Sequence, residues 1–318
     1  MRHKKPEVKQ YLKLLETISK GGSKDMGIPI TRGRVESAKK VVLYGPEGIG
    51  KSTLASKFPD AVFIDTEGST KELEVARYPA PASWHDVIID VKDCASEGQF
   101  KTLVIDTADW AEQLCIKATC EKQGVGGIEE FGYGKGYVYL AENFTELLKA
   151  CDKCIEAGIN VVFTAHAQMR KFEQPDEMGA YDRWEMKLSK KVAPMLKEWA
   201  DMVLFCNYKT DVITDQNTKS KKAVGGRRVM YASHHPCWDA KNRYGLPDQM
   251  EMEFSQIARL FENAKQPEPD YRAQLRAYMN EHGIDQHKVI SACGLSKDST
   301  NEDYKKALEY AKTITGGN

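Results

Sequence analysis

The sequence predicts an α/β protein built on a mostly parallel central sheet. Five short runs rich in β-branched and aromatic side chains supply its strands: VVLYG (41–45), AVFID (61–65), TLVID (102–106), NVVFTAH (160–166) and DMVLFCN (201–207). Helical patterns separate these runs, and strands that are apolar at nearly every position belong to a sheet covered on both faces. A composition of 41% hydrophobic and 29% charged residues over 318 positions supplies the apolar surface for such a core and excludes a mainly disordered chain.

In chain order, residues 1–37 form a basic N-terminal segment, with Arg2, Lys4, Lys5, Lys9, Lys13, Lys20 and Lys24 against Glu7, Glu16 and Asp25 before Ile28. A short helix is expected over Tyr11–Ile18, ended by a Gly-Gly-Ser break. The core spans 38–262. Its first strand runs into a glycine-rich turn and a helix over STLASKF (52–58), and the polar stretch between YKTDVI and VMYASHH is expected to form a hairpin that extends the sheet. Residues 263–270 read as a linker and 271–318 as a small helical module.

The 46 Lys and Arg balance 46 Asp and Glu, which excludes a polycationic binder and leaves room only for local basic patches. One such patch is residues 186–243, with 12 basic residues against 5 acids, whereas the chain from Lys265 onward carries 8 of each. No run of about 18 apolar residues and no apolar leader is present, so a cytoplasmic protein without a membrane partner is expected. The eight cysteines read as reduced thiols. Cys151 and Cys154 sit within a helical pattern, and the spacing of Cys115 and Cys120 does not complete a zinc site.

Gly45-Pro46-Glu47-Gly48-Ile49-Gly50-Lys51-Ser52-Thr53 matches G-x-x-x-x-G-K-[ST] between a predicted strand and a predicted helix. Backbone amides of such a loop converge on phosphates, Lys51 neutralises β and γ oxygens, and Ser52 offers a hydroxyl to magnesium, so ATP and Mg are the expected ligands. Asp106 ends a buried strand, suited to ordering magnesium. Glu67, in FIDTEGS, is suited to activating water. The alternative for both acids is capping of the following helix.

GPEGIGKST, FIDTEGS and TLVIDTAD together resemble the RecA-like ATPase core, in which an acid-glycine pair after the second strand supplies the catalytic glutamate. The resemblance implies a RecA-like P-loop NTPase core extended by a C-terminal hairpin. It gives Glu67 that role, because Asp106 is followed by Thr107-Ala108 rather than by a glutamate. His166, in VVFTAHAQ, stands where that superfamily has a phosphate-sensing glutamine; the alternative is a neutral histidine merely hydrogen-bonded at a strand end. With FGYGKGY (131–137), KKVAPMLKEWADMVLFCNYK (190–209) and AKNRYGLP (240–247), residues 38–262 resemble the phage-encoded RecA-core ATPases of the Sak group, phage nucleotide-binding proteins linked to single-strand annealing.

Lys241-Asn242-Arg243-Tyr244-Gly245 also resembles the K-x-R-x-G element of DnaB-type helicases, which implies that Lys241 and Arg243 act on a neighbouring subunit's nucleotide in a ring or filament; solvated charges on a surface hairpin are the alternative. Two loops are expected to contact single-stranded DNA: 121–137, with Phe131, Tyr133, Lys135 and Tyr137, and 169–191, with Arg170, Lys171, Arg183, Trp184, Lys190 and Lys191. Packing of these aromatics against the sheet is the alternative. The expectation is a Mg-dependent ATPase that binds single-stranded DNA and promotes annealing in phage recombination, with a single-strand-binding protein as a further partner. Its rivals are a loader or regulator of a helicase or single-strand-binding protein, and a ring helicase.

Overall fold

Lys40–Gly45 (β1) lies at the centre of a ten-stranded sheet in the computed structural model, which describes residues 33, 35–173, 179–214, 221–262, 271–296 and 299–315. The other strands are Ala61–Asp65 (β2), Ala76–Arg77 (β3), Thr102–Asp106 (β4), Asn160–Glu173 (β5), Ala180–Met186 (β6), Met202–Thr214 (β7), Lys221–Tyr231 (β8), Lys241–Asn242 (β9) and Gln249–Glu251 (β10). The order is β10-β8-β7-β1-β5-β4-β2-β3, with β6 beside β5 and β9 beside β7. Pairings from β7 through β1, β5, β4 and β2 to β3 are parallel, while β8, β10, β6 and β9 pair antiparallel. The mixed α/β class and the mostly parallel sheet therefore match the sequence expectation, and β7–β8 is the hairpin foreseen at its edge.

Covalent alternation explains why the central strands are apolar at almost every position. Val42 and Tyr44 face one layer and Val41 and Leu43 the other. The first layer packs beneath Trp84–Glu97 (α2), Ala108–Gln123 (α3), Lys135–Glu156 (α4) and Val192–Trp199 (α5), with Phe144, Leu147 and Leu196 buried against the sheet. The second packs beneath Lys51–Ala55 (α1) and the segment 246–261, where Phe58, Phe254 and Phe261 make mutual ring contacts. α2 starts on a reciprocal cap: Ser83 accepts the Asp86 amide and Asp86 accepts the Ser83 amide. Cys151 and Cys154 are buried thiols on the core side of α4.

Three expectations change in detail. α1 is one turn, Lys51–Ala55, because the chain turns at Ser56 to bury Phe58. The fourth predicted strand does not stop at His166: β5 continues to Glu173 and pairs with β6, so most of the expected loop 169–191 is a β-hairpin. In the region 121–137, α3 runs to Gln123, a 3-10 turn covers Ile128–Phe131, and Lys135 and Tyr137 already belong to α4.

The chain divides into two compact units, Met1–Val35 and Glu36–Asn318. In the first, the description covers Gly33 and the exposed Val35; the expected helix over Tyr11–Ile18 lies outside the described residues, as does the linker 263–270. Tyr271–Glu281 (α6), Gln286–Cys293 (α7) and Asn301–Thr315 (α8) share a small core of Leu275, Met279, Val289, Ala307, Leu308 and Ala311. Among the described residues no helix is long and apolar enough to cross a membrane.

Candidate functional site

Strand register assembles the site at the carboxyl ends of the parallel strands. β1 and β5 pair with Gly45 beside His166, and β2 and β4 pair with Asp65 beside Asp106. Gly45 is imposed by close approach, since a Cβ there would stand 2.1 Å from the Cys206 carbonyl oxygen. Gly50 adopts φ 102°, a left-handed conformation that favours glycine, and turns the chain into α1. The buried Lys51 folds back over its own loop, where Nζ donates to the carbonyls of Gly45 (3.2 Å) and Pro46 (3.0 Å). Burial holds its pKa below the ordinary lysine value, against the pull of Asp106, Asp109 and Glu67. A cleft of about 310 Å³ opens here, lined by Gly48, Lys51, Ser52, Glu67, Thr107 and His166 among others.

Asp106 is fully buried. Its Oδ1 accepts the Thr164 hydroxyl, whereas Oδ2 makes no hydrogen bond. Burial raises its pKa, opposed by the Thr164 and Ser52 hydroxyls. An orphaned carboxylate oxygen beside a serine hydroxyl is chemically suited to a magnesium ion or its water shell, so Ser52 and Asp106 fit the ion expected of them.

Asp65 organises the neighbouring loop. Its Oδ1 accepts amides of Glu67 (3.2 Å), Gly68 (2.6 Å) and Ser69 (3.2 Å), and Oδ2 accepts the Thr70 amide (2.9 Å) and hydroxyl (2.6 Å). Burial pushes this carboxyl up, but those donors outweigh it and hold the pKa below its ordinary value. The anchored turn presents Glu67 to the cleft with its side chain 27% exposed. Burial raises the Glu67 pKa, with His166 opposing and the charges of Asp106 and Asp109 adding.

His166 is fixed by a residue outside the expected set. Asp109, in the first turn of α3, accepts the His166 amide at Oδ1 (3.0 Å), and its Oδ2 lies 2.8 Å from the ring Nδ1. The ring is thereby oriented with Nε2 3.8 Å from Glu67 Oε1. Burial alone would raise the Asp109 pKa, and the contacts with His166 bring it below the ordinary aspartate value. The signal for Asp109 was a second acid three residues after Asp106, which only a fold that brings β5 beside α3 could connect with His166.

Lys241 and Arg243 do not join this group. β9 pairs with the start of β7, at the opposite end of the strands from the phosphate loop, roughly 15 Å away at about 3.3 Å per residue. Lys241 Nζ donates to the carbonyls of Lys197 (3.1 Å), Glu198 (2.9 Å) and Ala200 (2.5 Å), closing the C-terminus of α5. Arg243 pairs with Asp201 at 2.8 Å and keeps 59% of its side chain exposed.

The expected DNA contacts divide. Tyr133 is fully exposed, and Lys135, Lys171, Lys190 and Lys191 are exposed. Phe131 packs edge-on against Tyr139, and the Tyr137 hydroxyl donates to Glu129. Arg183 and Trp184 leave the set of exposed contacts: the Arg183 guanidinium is buried on Asp239 and over Phe172, and Trp184 packs against Phe205. As successive residues of β6 the two point to opposite faces, and protein covers each: Asp239 and Phe172 the one, Phe205 the other. A groove of about 340 Å³ remains between the hairpin and α5, lined by Arg170, Lys171, Phe172, Lys190 and Lys197, with Glu185 and Asp239 the acids at its wall.

A comparison with curated proteins gave no match. The family model described as AAA domain matches residues 37–244, which is about two thirds of the chain and includes every residue of the cleft. The phosphate loop, the strand-end acids and the sheet that aligns them all fall within that span, and the chain belongs to this AAA domain family of P-loop nucleotide-binding proteins.

Proposed function

We propose that the protein binds ATP with magnesium, hydrolyses it, and uses the nucleotide state to control its hold on single-stranded DNA during annealing. The observation that carries this reading is the continuity of β5. One strand holds His166 in the nucleotide cleft and, four to six residues further on, Arg170, Lys171 and Phe172 at the solvent-facing groove. The amides of 47–53 and the Lys51 ammonium bind the phosphates; the ammonium exchanges two backbone carbonyls for phosphate oxygens. Magnesium, when bound at Ser52 and Asp106, neutralises charge on the phosphates. Glu67 takes a proton from the attacking water as its oxygen bonds to the γ-phosphorus and the bond to ADP breaks. His166, oriented by Asp109, senses the γ-phosphate.

Cations beside an aromatic ring suit single strands, because bases stack on rings while cations follow the phosphates. Arg243, too far from its own phosphate loop, serves a neighbouring subunit in a ring or filament, with Lys241 fixing the strand that presents it. Annealing and a phage setting rest on the resemblance to the Sak group. The test is Mg-dependent ATP turnover with and without single-stranded DNA, by wild type and Lys51→Ala. DNA-stimulated turnover lost in Lys51→Ala is the expected result; a folded wild type that neither hydrolyses ATP nor responds to DNA overturns the reading.

A further inference from the structure

Between the end of β6 and the start of α5 the chain reads Met186-Lys187-Leu188-Ser189. Met186 and Leu188 are buried, and the Leu188 amide donates to the Met186 carbonyl at 2.8 Å, a three-residue turn with the exposed Lys187 at its apex. The backbone is fastened on both sides of that apex. The Lys187 amide donates to the His166 carbonyl at 2.7 Å, and both carboxylate oxygens of the buried Glu112 accept the Ser189 amide at 3.1 Å. The Lys187 ammonium lies 3.9 Å from Glu47 Oε1, in the phosphate loop. We infer that Lys187 is a further catalytic residue, which leaves Glu47 for the γ-phosphate of its own subunit's ATP and stabilises the charge there during hydrolysis. The inference rests on the ATPase reading above and adds to it a cation supplied in cis, where Arg243 is supplied by a neighbour.

Position carries the inference. A phosphate-loop lysine contacts β and γ oxygens, and Lys51 Nζ here rests on the carbonyls of Gly45 and Pro46, so that end of the loop borders the terminal phosphates. Glu47 is the next residue along. His166, whose carbonyl holds the Lys187 backbone, lines the cleft with its Nε2 3.8 Å from Glu67. Lys187 is therefore anchored beside the groups assigned to water activation, and its side chain reaches across to the phosphate loop.

The charges favour the exchange. The Lys187 and Glu47 side chains are 54% and 78% exposed, and an ion pair in that setting adds little stability. A γ-phosphoryl group presents more negative charge than one carboxylate, and a lysine stem can swing between the two while its backbone stays fixed. In the step itself the water oxygen bonds to the γ-phosphorus, its proton goes to Glu67 and the bond to ADP breaks. Lys187 exchanges no proton and acts through its charge.

The test pairs steady-state turnover of Mg-ATP with equilibrium binding of a fluorescent ADP, with and without aluminium fluoride, on wild type, Lys187→Ala and Lys187→Arg. Aluminium fluoride beside ADP imitates the transferring phosphoryl group. Lys187→Ala is expected to lower kcat about 100-fold, to leave ADP affinity unchanged and to lose about 100-fold of the affinity that aluminium fluoride adds; Lys187→Arg recovers most of both. Unchanged ADP affinity also reports an intact phosphate loop. Mixing Lys187→Ala with an excess of Lys51→Ala restores no turnover, as a residue acting in cis requires. An unaltered kcat in Lys187→Ala overturns the inference, as does a loss of kcat with the aluminium fluoride gain intact, or recovery on mixing. A wild type that binds ADP yet neither turns over ATP nor gains affinity from aluminium fluoride overturns the ATPase reading itself, and the role of Lys187 with it.

Discussion

His166 enters the cleft with one ring edge already committed to Asp109, and Glu67 with its backbone tied down through Asp65. Both side chains are thus preorganised by buried aspartates, one accepting from an imidazole and the other from a turn of amides. Glu67→Gln keeps the shape and removes the base, so kcat falls by at least about 100-fold while nucleotide affinity is retained. The pH dependence follows from the direction of the Glu67 shift. A base works deprotonated, and burial raises this carboxyl, so activity is lost as pH falls while still above the ordinary glutamate range. A kcat–pH profile whose acid limb sits above that range in wild type and disappears from the residual activity of Glu67→Gln is the expected outcome.

At the scale of elements, the β5–β6 hairpin and the β9 strand are the parts that the sequence represented least well. The apolar run ending at His166 reads as a complete strand, and MRKFE after it has no period-two hydropathy; it is in the folded hairpin that half-buried Arg170 and Phe172 alternate with exposed Met169, Lys171 and Glu173. Charge there was legible; which face each side chain took was not, because the partner of Arg183 is Asp239, 56 residues on. Lys171→Glu tests the groove: it weakens single-strand binding uniformly across sequences and lowers the slope of log affinity against log salt by roughly 1–2, measured by titration at several salt concentrations. Lys241→Ala leaves three carbonyls at the end of α5 without their cation. It costs about 1 kcal/mol, read as a lower urea midpoint with the slope unchanged.

Over the whole molecule, local chemistry was more legible than long-range geometry. The phosphate loop, Glu67, Asp106 and His166 stand at the ends of separate apolar runs, and a parallel sheet brings strand ends to one edge, so their convergence follows from topology. Asp109 and the structural use of Lys241 depend on contacts between distant segments that no local pattern encodes. Zero net charge likewise hides a groove in which Arg170, Lys171, Lys190 and Lys197 meet only two acids. The remoteness of Arg243 from its own phosphate loop carries a prediction at this scale. Mixing Arg243→Ala with an excess of the inactive Lys51→Ala restores turnover, because each supplies what its neighbour lacks; additive rates without recovery argue against action between subunits.

If β5 links nucleotide state to DNA affinity, an equilibrium titration of labelled single-stranded DNA reads the link. With a non-hydrolysable ATP analogue and magnesium, wild type is expected to bind at least about fivefold more tightly than with ADP, and His166→Ala is expected to bind equally in both states. Equal affinity of wild type for DNA in the two nucleotide states would mean that β5 carries no signal from the cleft to the groove.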